Sequence, residues 1–129
     1  MKICVCASAD SLDAQVDPRF GRCPYFVIVD PETMKFEAIP NTAAGAMGGA
    51  GIQAAQTIAG KGVKVLVTGN VGPNAFQALS TAGIKILVGA SGTVREAVEK
   101  YEKGELNEAR TSNVRSHFGM GTGRGRRRS

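Results

Sequence analysis

Three times in this sequence a glycine-marked turn runs directly into a helical pattern: Gly45-Ala-Met-Gly-Gly-Ala-Gly51 before Ile52, Gly69-Asn-Val-Gly-Pro-Asn74 before Ala75, and Gly89-Ala-Ser-Gly-Thr93 before Val94. Each reads as a bare helix N-terminus. A helix start exposes unpaired backbone N–H groups and the positive end of the helix dipole, so it attracts anions, and glycine lets a ligand approach the backbone closely. The apolar runs Val63 to Thr68 and Ile84 to Val88 alternate with these helical segments. That alternation predicts helical crossovers between parallel strands buried on both faces. In such open sheets ligands bind beyond the carboxyl ends of the strands. The second and third glycine turns emerge at that edge.

The remaining elements follow from pattern. Residues 2 to 7 form a short apolar run that reads as a buried first strand, and a polar stretch from Ser8 to Arg22 follows it. A loop of that length without structure of its own tends to be functional or mobile, so it is a candidate lid or binding loop. Tyr25 to Val29 and Met34 to Ile39 predict a hairpin around Asp30-Pro-Glu-Thr33, with Pro31 suited to the second turn position. Helices are predicted from Ile52 to Lys61, through Phe76, Leu79 and Ala82, and from a Thr93/Glu96 capping box to about Lys103. If the hairpin's second strand runs parallel to the others, the first glycine turn joins the same edge. The periodicity stops near Asn107, which predicts an α/β domain over residues 1–106 and a flexible Gly/Arg-rich tail over 107–129.

Composition agrees with one domain that has a real core: 129 residues, 43% of them apolar and 21% charged. No apolar run approaches the roughly 18 to 20 residues of a membrane span, and the first seven residues are too short for a signal peptide, so a cytoplasmic location is expected. The formal charge of +5 is unevenly spread. Residues 1–109 carry 10 basic and 11 acidic side chains, whereas residues 110–129 carry 6 arginines and no acid. The folded part is therefore near neutral, and Arg124, Arg126, Arg127 and Arg128 offer a weak polyanion contact at the end of the chain. No aromatic residue interleaves those arginines to stack on bases.

Three cysteines are present, an odd number. Cys4 and Cys6 share one face of the first strand and read as small buried hydrophobes. Cys23 lies in a polar loop between Arg22 and Pro24, where an arginine neighbour favours a thiolate and hence a reactive or metal-ligating role. The single histidine, His117, falls in the tail segment. Gly49-Ala-Gly51-Ile-Gln-Ala54 matches a dinucleotide fingerprint but follows a loop instead of the end of the first strand, and no phosphate-loop signature occurs. The glutamates of the last helix form a solvated face. With no converging carboxylates and no nucleophile beside a base, the sequence predicts no enzyme.

In sequence order, Asp17-Pro-Arg-Phe-Gly-Arg-Cys-Pro-Tyr-Phe26, Gly48-Gly-Ala-Gly-Ile52, Gly62-Val63, Gly69-Asn-Val-Gly-Pro-Asn-Ala-Phe76, Ala82-Gly-Ile84 and Gly92-Thr-Val-Arg-Glu-Ala-Val98 resemble the dinitrogenase iron-molybdenum cofactor family, which includes NifX-like carriers and small stand-alone members. The resemblance spans almost all of residues 1 to 106, and its specificity lies in the order of the blocks. It implies a three-layer α/β/α fold with a ribonuclease H-like motif around a mixed five-stranded sheet. It also implies non-enzymatic binding or carriage of an iron-sulfur or iron-molybdenum type cluster or precursor, exchanged with metallocluster donor or acceptor proteins. The rim that would hold such a cargo comprises Arg19, Arg22, Gly48, Gly49, Gly51, Asn70, Gly72, Asn74, Gly92 and Thr93. An exposed helix terminus contributes only about 0.3 to 1 kcal/mol, so tight binding calls for an iron ligand, with Cys23 and His117 as the candidates. The alternative reading is a nucleic-acid or polyanion interaction protein acting through the arginine tail.

Overall fold

Strict alternation along strand β1 (Lys2–Ala7) divides the molecule into layers. Cys4 and Cys6 enter one apolar cluster, and Ile3, Val5 and Ala7 enter another on the opposite face. All five side chains are fully buried, as expected of a central strand covered on both sides. The computed structural model describes residues 1–43 and 49–109. Gly48, His117 and the arginines Arg124, Arg126, Arg127 and Arg128 lie outside the described residues.

After β1 come β2 (Tyr25–Val29), β3 (Phe36–Pro40), α1 (Ala50–Gly60), β4 (Val63–Val67), α2 (Pro73–Thr81), β5 (Lys85–Val88), α3 (Val94–Glu102) and β6 (Asn107–Glu108). They form one mixed sheet in the order β3-β2-β1-β4-β5-β6. Strands β1, β4 and β5 are parallel. Strand β2 is antiparallel to β1, and β3 is antiparallel to β2, which makes β3 parallel to the central three. The condition for the first glycine turn to share the ligand edge is thereby met. The sheet has six strands where the sequence predicts five. Asn107 and Glu108 pair antiparallel with Val88 and Leu87, and the Ala109 amide continues the ladder by donating to the Ile86 carbonyl at 2.8 Å. A two-residue strand is too short to show a period, so pattern alone misses it.

Helices α1 and α2 cover one face, where Ala54, Ala55, Ile58, Ala75 and Leu79 pack with Cys4, Cys6, Phe26, Leu66 and Ile86. Helix α3 covers the other, through Val94, Ala97 and Val98 against Val5, Val27, Val67 and Leu87. The hairpin's second strand starts at Phe36 and not at Met34. Met34 has φ 62°, and its amide donates to the Asp30 carbonyl at 2.7 Å, so it closes the turn. Gly51 permits the close approach of the two helices on their shared face, because a Cβ there would stand 2.8 Å from the Ala75 Cβ.

Candidate ligand rim at the carboxyl edge of the sheet

The polar segment after β1 straddles the carboxyl edge of the strands. Its first half joins the α3 side, with Leu12 and Ala14 in that apolar cluster, and its second half joins the α1/α2 side through Phe20 and Cys23. Backbone bonds fasten it along its length. The amide of Val16 donates to the Gly92 carbonyl at 2.8 Å, that of Asp17 to Cys6 at 2.9 Å, and that of Asn70 to Pro18 at 2.7 Å. A Cβ on Gly69 would meet Pro18 at 2.7 Å, so the segment lies directly on the turn that opens α2. Buried Asn41 ties down the far end, its side-chain amide donating to the carbonyls of Gly21 at 3.1 Å and Cys23 at 2.9 Å. The segment expected to be a lid or binding loop is thus strapped to the sheet on both sides.

Gly49 to Gly51, at the end of the first glycine turn, and the second and third turns meet at this edge but do not open it equally. At α3 the amides of Val94 and Arg95 donate to the carbonyls of Ala14 and Leu12, and the Glu96 amide is capped by the Thr93 hydroxyl at 3.1 Å. Glu96 in turn accepts from the Thr93 amide at 2.8 Å. That N-terminus is satisfied inside the protein, which corrects the reading of Gly92 and Thr93 as a bare start. Helices α1 and α2 differ. Their N-caps are Gly49 and Gly72, and among the described residues neither start receives a side-chain cap bond and neither first turn holds an acid. Gly49, Gly51, Gly72 and Asn74 therefore frame two adjacent starts with the positive ends of their dipoles uncompensated by a first-turn carboxylate. A hollow of about 160 Å³ lined by Ile52, Asn74, Gln77 and Ala78 flanks them. A larger depression of about 360 Å³, between Lys2 and Phe36, lies at the opposite end of the strands.

Arg19 pairs in register with Asn70 and so stands at the head of α2. Its guanidinium grips Asp17 along one edge, Nε to Oδ1 at 3.2 Å and Nη2 to Oδ2 at 3.1 Å, while its own amide also donates to Oδ1 at 2.9 Å. The acid is buried at 7% exposure, and the arginine is 66% exposed. Burial works to raise the Asp17 pKa. The side-chain and backbone hydrogen bonds from Arg19, with its charge, outweigh that and hold the carboxyl below the ordinary 3.8. The same bonds raise the pKa of Arg19. Arg22 is exposed on the same loop.

Cys23 is not at a polar surface. It is fully buried with Cys4 and Cys6, in the same cluster as the ring pair Phe20 and Phe26, whose centroids are 5.8 Å apart. Burial first, and then the proximity of Cys23, pushes the Cys4 and Cys6 thiols well above their ordinary 9.0. Among the described residues no three His, Cys, Asp or Glu side chains group so that they could hold a metal ion. Sequence reasoning passes over Asp17, Pro18 and Asn41 as site-building residues. Only Asp17-Pro-Arg19, an acid two positions before an arginine, carries a readable signal.

A family model described as dinitrogenase iron-molybdenum cofactor matches residues 1–104. The chain belongs to that family. The chain is 47% identical to the orange protein of Desulfovibrio gigas, solved in its apo form. That structure superposes with a TM-score of 0.85 over 88% of this chain and 96% of the other. A candidate NifB protein from Thermotoga is 36% identical, with a TM-score of 0.77 over 90% and 98% of the two chains. An uncharacterized protein of Methanocaldococcus jannaschii is 32% identical over 73% of this chain and 82% of its own length. No described helix is long and apolar enough to cross a membrane.

Proposed function

We propose that this member of the dinitrogenase iron-molybdenum cofactor family binds and carries an anionic metal–sulfur cargo, an iron-molybdenum or iron-sulfur type cluster or a precursor of one, without transforming it. The observation that carries the reading is the pair of neighbouring helix starts, α1 and α2, with glycine N-caps and no acid in their first turns, beside Arg19, with Arg22 exposed on the same loop. A cluster with thiolate, sulfide or organic-acid ligands bears net negative charge and accepts hydrogen bonds from such donors. Gly48, which precedes α1, belongs to the same proposed rim. Gly92 and Thr93 support it indirectly, by anchoring the loop that carries Arg19. The partners of such a carrier are the proteins that donate and receive the cluster.

Anaerobic titration of the full chain with an iron-sulfur cluster donor tests this reading, followed by visible absorption and by the amide signals of Gly49 to Gly51 and Asn70 to Asn74. Stoichiometric absorption with shifts confined to those residues supports it; no uptake and no shifts refute it. Direct iron ligation is the finer point, because Cys23 is sealed under the loop. A Cys23→Ala/His117→Ala double variant releases a ligated cargo and keeps one held by N–H donors alone.

A further inference from the structure

Beneath the strapped segment lies a group of side chains that the rim does not use. Strands β1 and β4 run parallel with Val5 opposite Val67, so the next rung sets Cys6 beside Thr68. Alternation turns both toward the α1/α2 face, where Cys4 and Leu66 precede them. Cys23 enters the same cluster from the strapped segment. That segment is held at both points, by the Asp17 amide donating to the Cys6 carbonyl at 2.9 Å and by Asn41 donating to the Cys23 carbonyl at 2.9 Å. Cys6, Cys23 and Thr68 are all fully buried. The Cys6 thiol interacts with both Cys23 and the Thr68 side chain.

Packing alone does not account for Thr68. Its amide donates to the Leu87 carbonyl at 3.0 Å and its carbonyl accepts from Ala90 at 3.3 Å, yet its Oγ1 is buried without a hydrogen-bond partner among the described residues. Valine fills the same space without stranding a hydroxyl, and native proteins leave few buried polar atoms unpaired. A neutral thiol is only a weak acceptor for that hydroxyl, whereas a thiolate is a strong one. Desolvation in the core works against the thiolate unless a cation binds it. A bound cation therefore resolves two features together: the orphaned hydroxyl and the two adjoining thiols.

The number of ligands decides which cation fits. Cys4 stands one pleat deeper on the same face, and no three thiols or other donor side chains among the described residues converge on one point. Structural zinc takes four ligands and is excluded. Soft thiolates favour Cu(I), a closed-shell ion that two sulfur ligands satisfy. From this arrangement we infer that Cys6 and Cys23 form a buried two-sulfur site for a thiophilic monovalent cation of the Cu(I) class, with the Thr68 hydroxyl donating to the Cys6 thiolate. Binding exchanges two S–H bonds for two S–metal bonds, releases both protons and changes no oxidation state. The loaded site keeps one net negative charge, which the guanidinium of Arg19 offsets through its electrostatic interaction with Cys23. This site lies under the strapped segment and does not rest on the anion reading of the rim.

The test uses the full, reduced chain under anaerobic conditions, with Cu(I) delivered from a competing chelator to native protein and, in a second arm, to protein refolding in its presence. One ion per chain is expected, with both protons released and X-ray absorption showing sulfur ligands in two-coordinate geometry. Cys4→Ala keeps the site, whereas Cys6→Ala and Cys23→Ala each lose it. Thr68→Val guards against variants that merely misfold, because removing an orphaned hydroxyl leaves the metal-free protein at least as stable as wild type. The same variant binds Cu(I) about tenfold more weakly, the loss of one hydrogen bond to a charged acceptor. A hydroxyl with a purely structural role would not move that affinity. No uptake in either arm overturns the inference, as does uptake that survives loss of both Cys6 and Cys23, or a Thr68→Val protein that binds as tightly as wild type. Cluster uptake at the rim is titrated separately and is unchanged by Thr68→Val, so failure of one reading is distinct from failure of the other.

Discussion

Replacing Gly69 by alanine tests whether the segment after β1 is a fixed part of the rim. The Cβ introduced there would lie 2.7 Å from both the Cα and the Cβ of Pro18 and 3.3 Å from its carbonyl oxygen. That is about 0.7 Å short of ordinary contact, against a backbone atom and a ring atom that cannot rotate away. Pro18 has little room to retreat, because its carbonyl accepts from Asn70 at 2.7 Å and the preceding Asp17 amide is bonded to Cys6 at 2.9 Å. Overpacking of this kind costs about 1 to 3 kcal/mol. For a domain of this size each kcal/mol corresponds to roughly 4 °C of melting temperature. Gly60→Ala is the matched control. Gly60 closes α1 with no atom within 4 Å of the point a Cβ would occupy, so alanine there is neutral or stabilising by up to about 1 kcal/mol from helix propensity. Urea and thermal unfolding followed by circular dichroism give both numbers. A Gly69→Ala protein within about 0.5 kcal/mol of wild type would refute the picture of a loop seated rigidly on the α2 turn.

Other expectations concern the same edge. Because the Asp17 pKa is lowered in the folded state, the stability it contributes is present above pH 3.8 and is lost as pH falls through the lower folded value. Wild type should therefore lose stability more steeply than Asp17→Asn in acid below pH 3.8, and parallel acid unfolding curves would count against the pairing. The buried thiols act at the other end of the scale. With Cys4 and Cys6 raised above 9.0, the unfolded chain ionises first, so stability declines as pH rises past 9.0. A thiol reagent at neutral pH should accordingly label native protein only as fast as it opens; rapid labelling of any of the three cysteines would contradict their burial. Hydrogen exchange at Val16, Asp17 and Cys23, whose amides donate to Gly92, Cys6 and Arg19, should be slow with or without cargo. Protection appearing only on cargo binding would restore the lid.

The architecture is legible because its signals are local. Valine and isoleucine runs set β4 and β5, Pro31 sets the hairpin, and Thr93 with Glu96 announces α3. What the sequence conceals depends on partners far along the chain. The glycine turns before α1, α2 and α3 look alike as strings. Yet the donors of α3 are consumed by the carbonyls of Leu12 and Ala14, far earlier in the chain, while no described side chain caps α1 or α2. Cys23 is flanked by exposed Arg22 and Pro24 and still reaches the core, because the loop turns inward to pack with Phe26 and is held there by Asn41. Arg19 reads in the sequence as one cation of the rim among others, and its meaning changes once buried Asp17 is found along its edge. In each case the residue types are readable in the sequence, and long-range hydrogen bonds decide which of them the fold itself consumes. The rim proposed above combines two helix starts without a side-chain cap among the described residues, one guanidinium paired with a buried acid and a loop already strapped down. If the proposed rim holds a cargo, a site fixed in advance has little ordering to do when it arrives, and its affinity would follow how many of those donors the cargo engages at once.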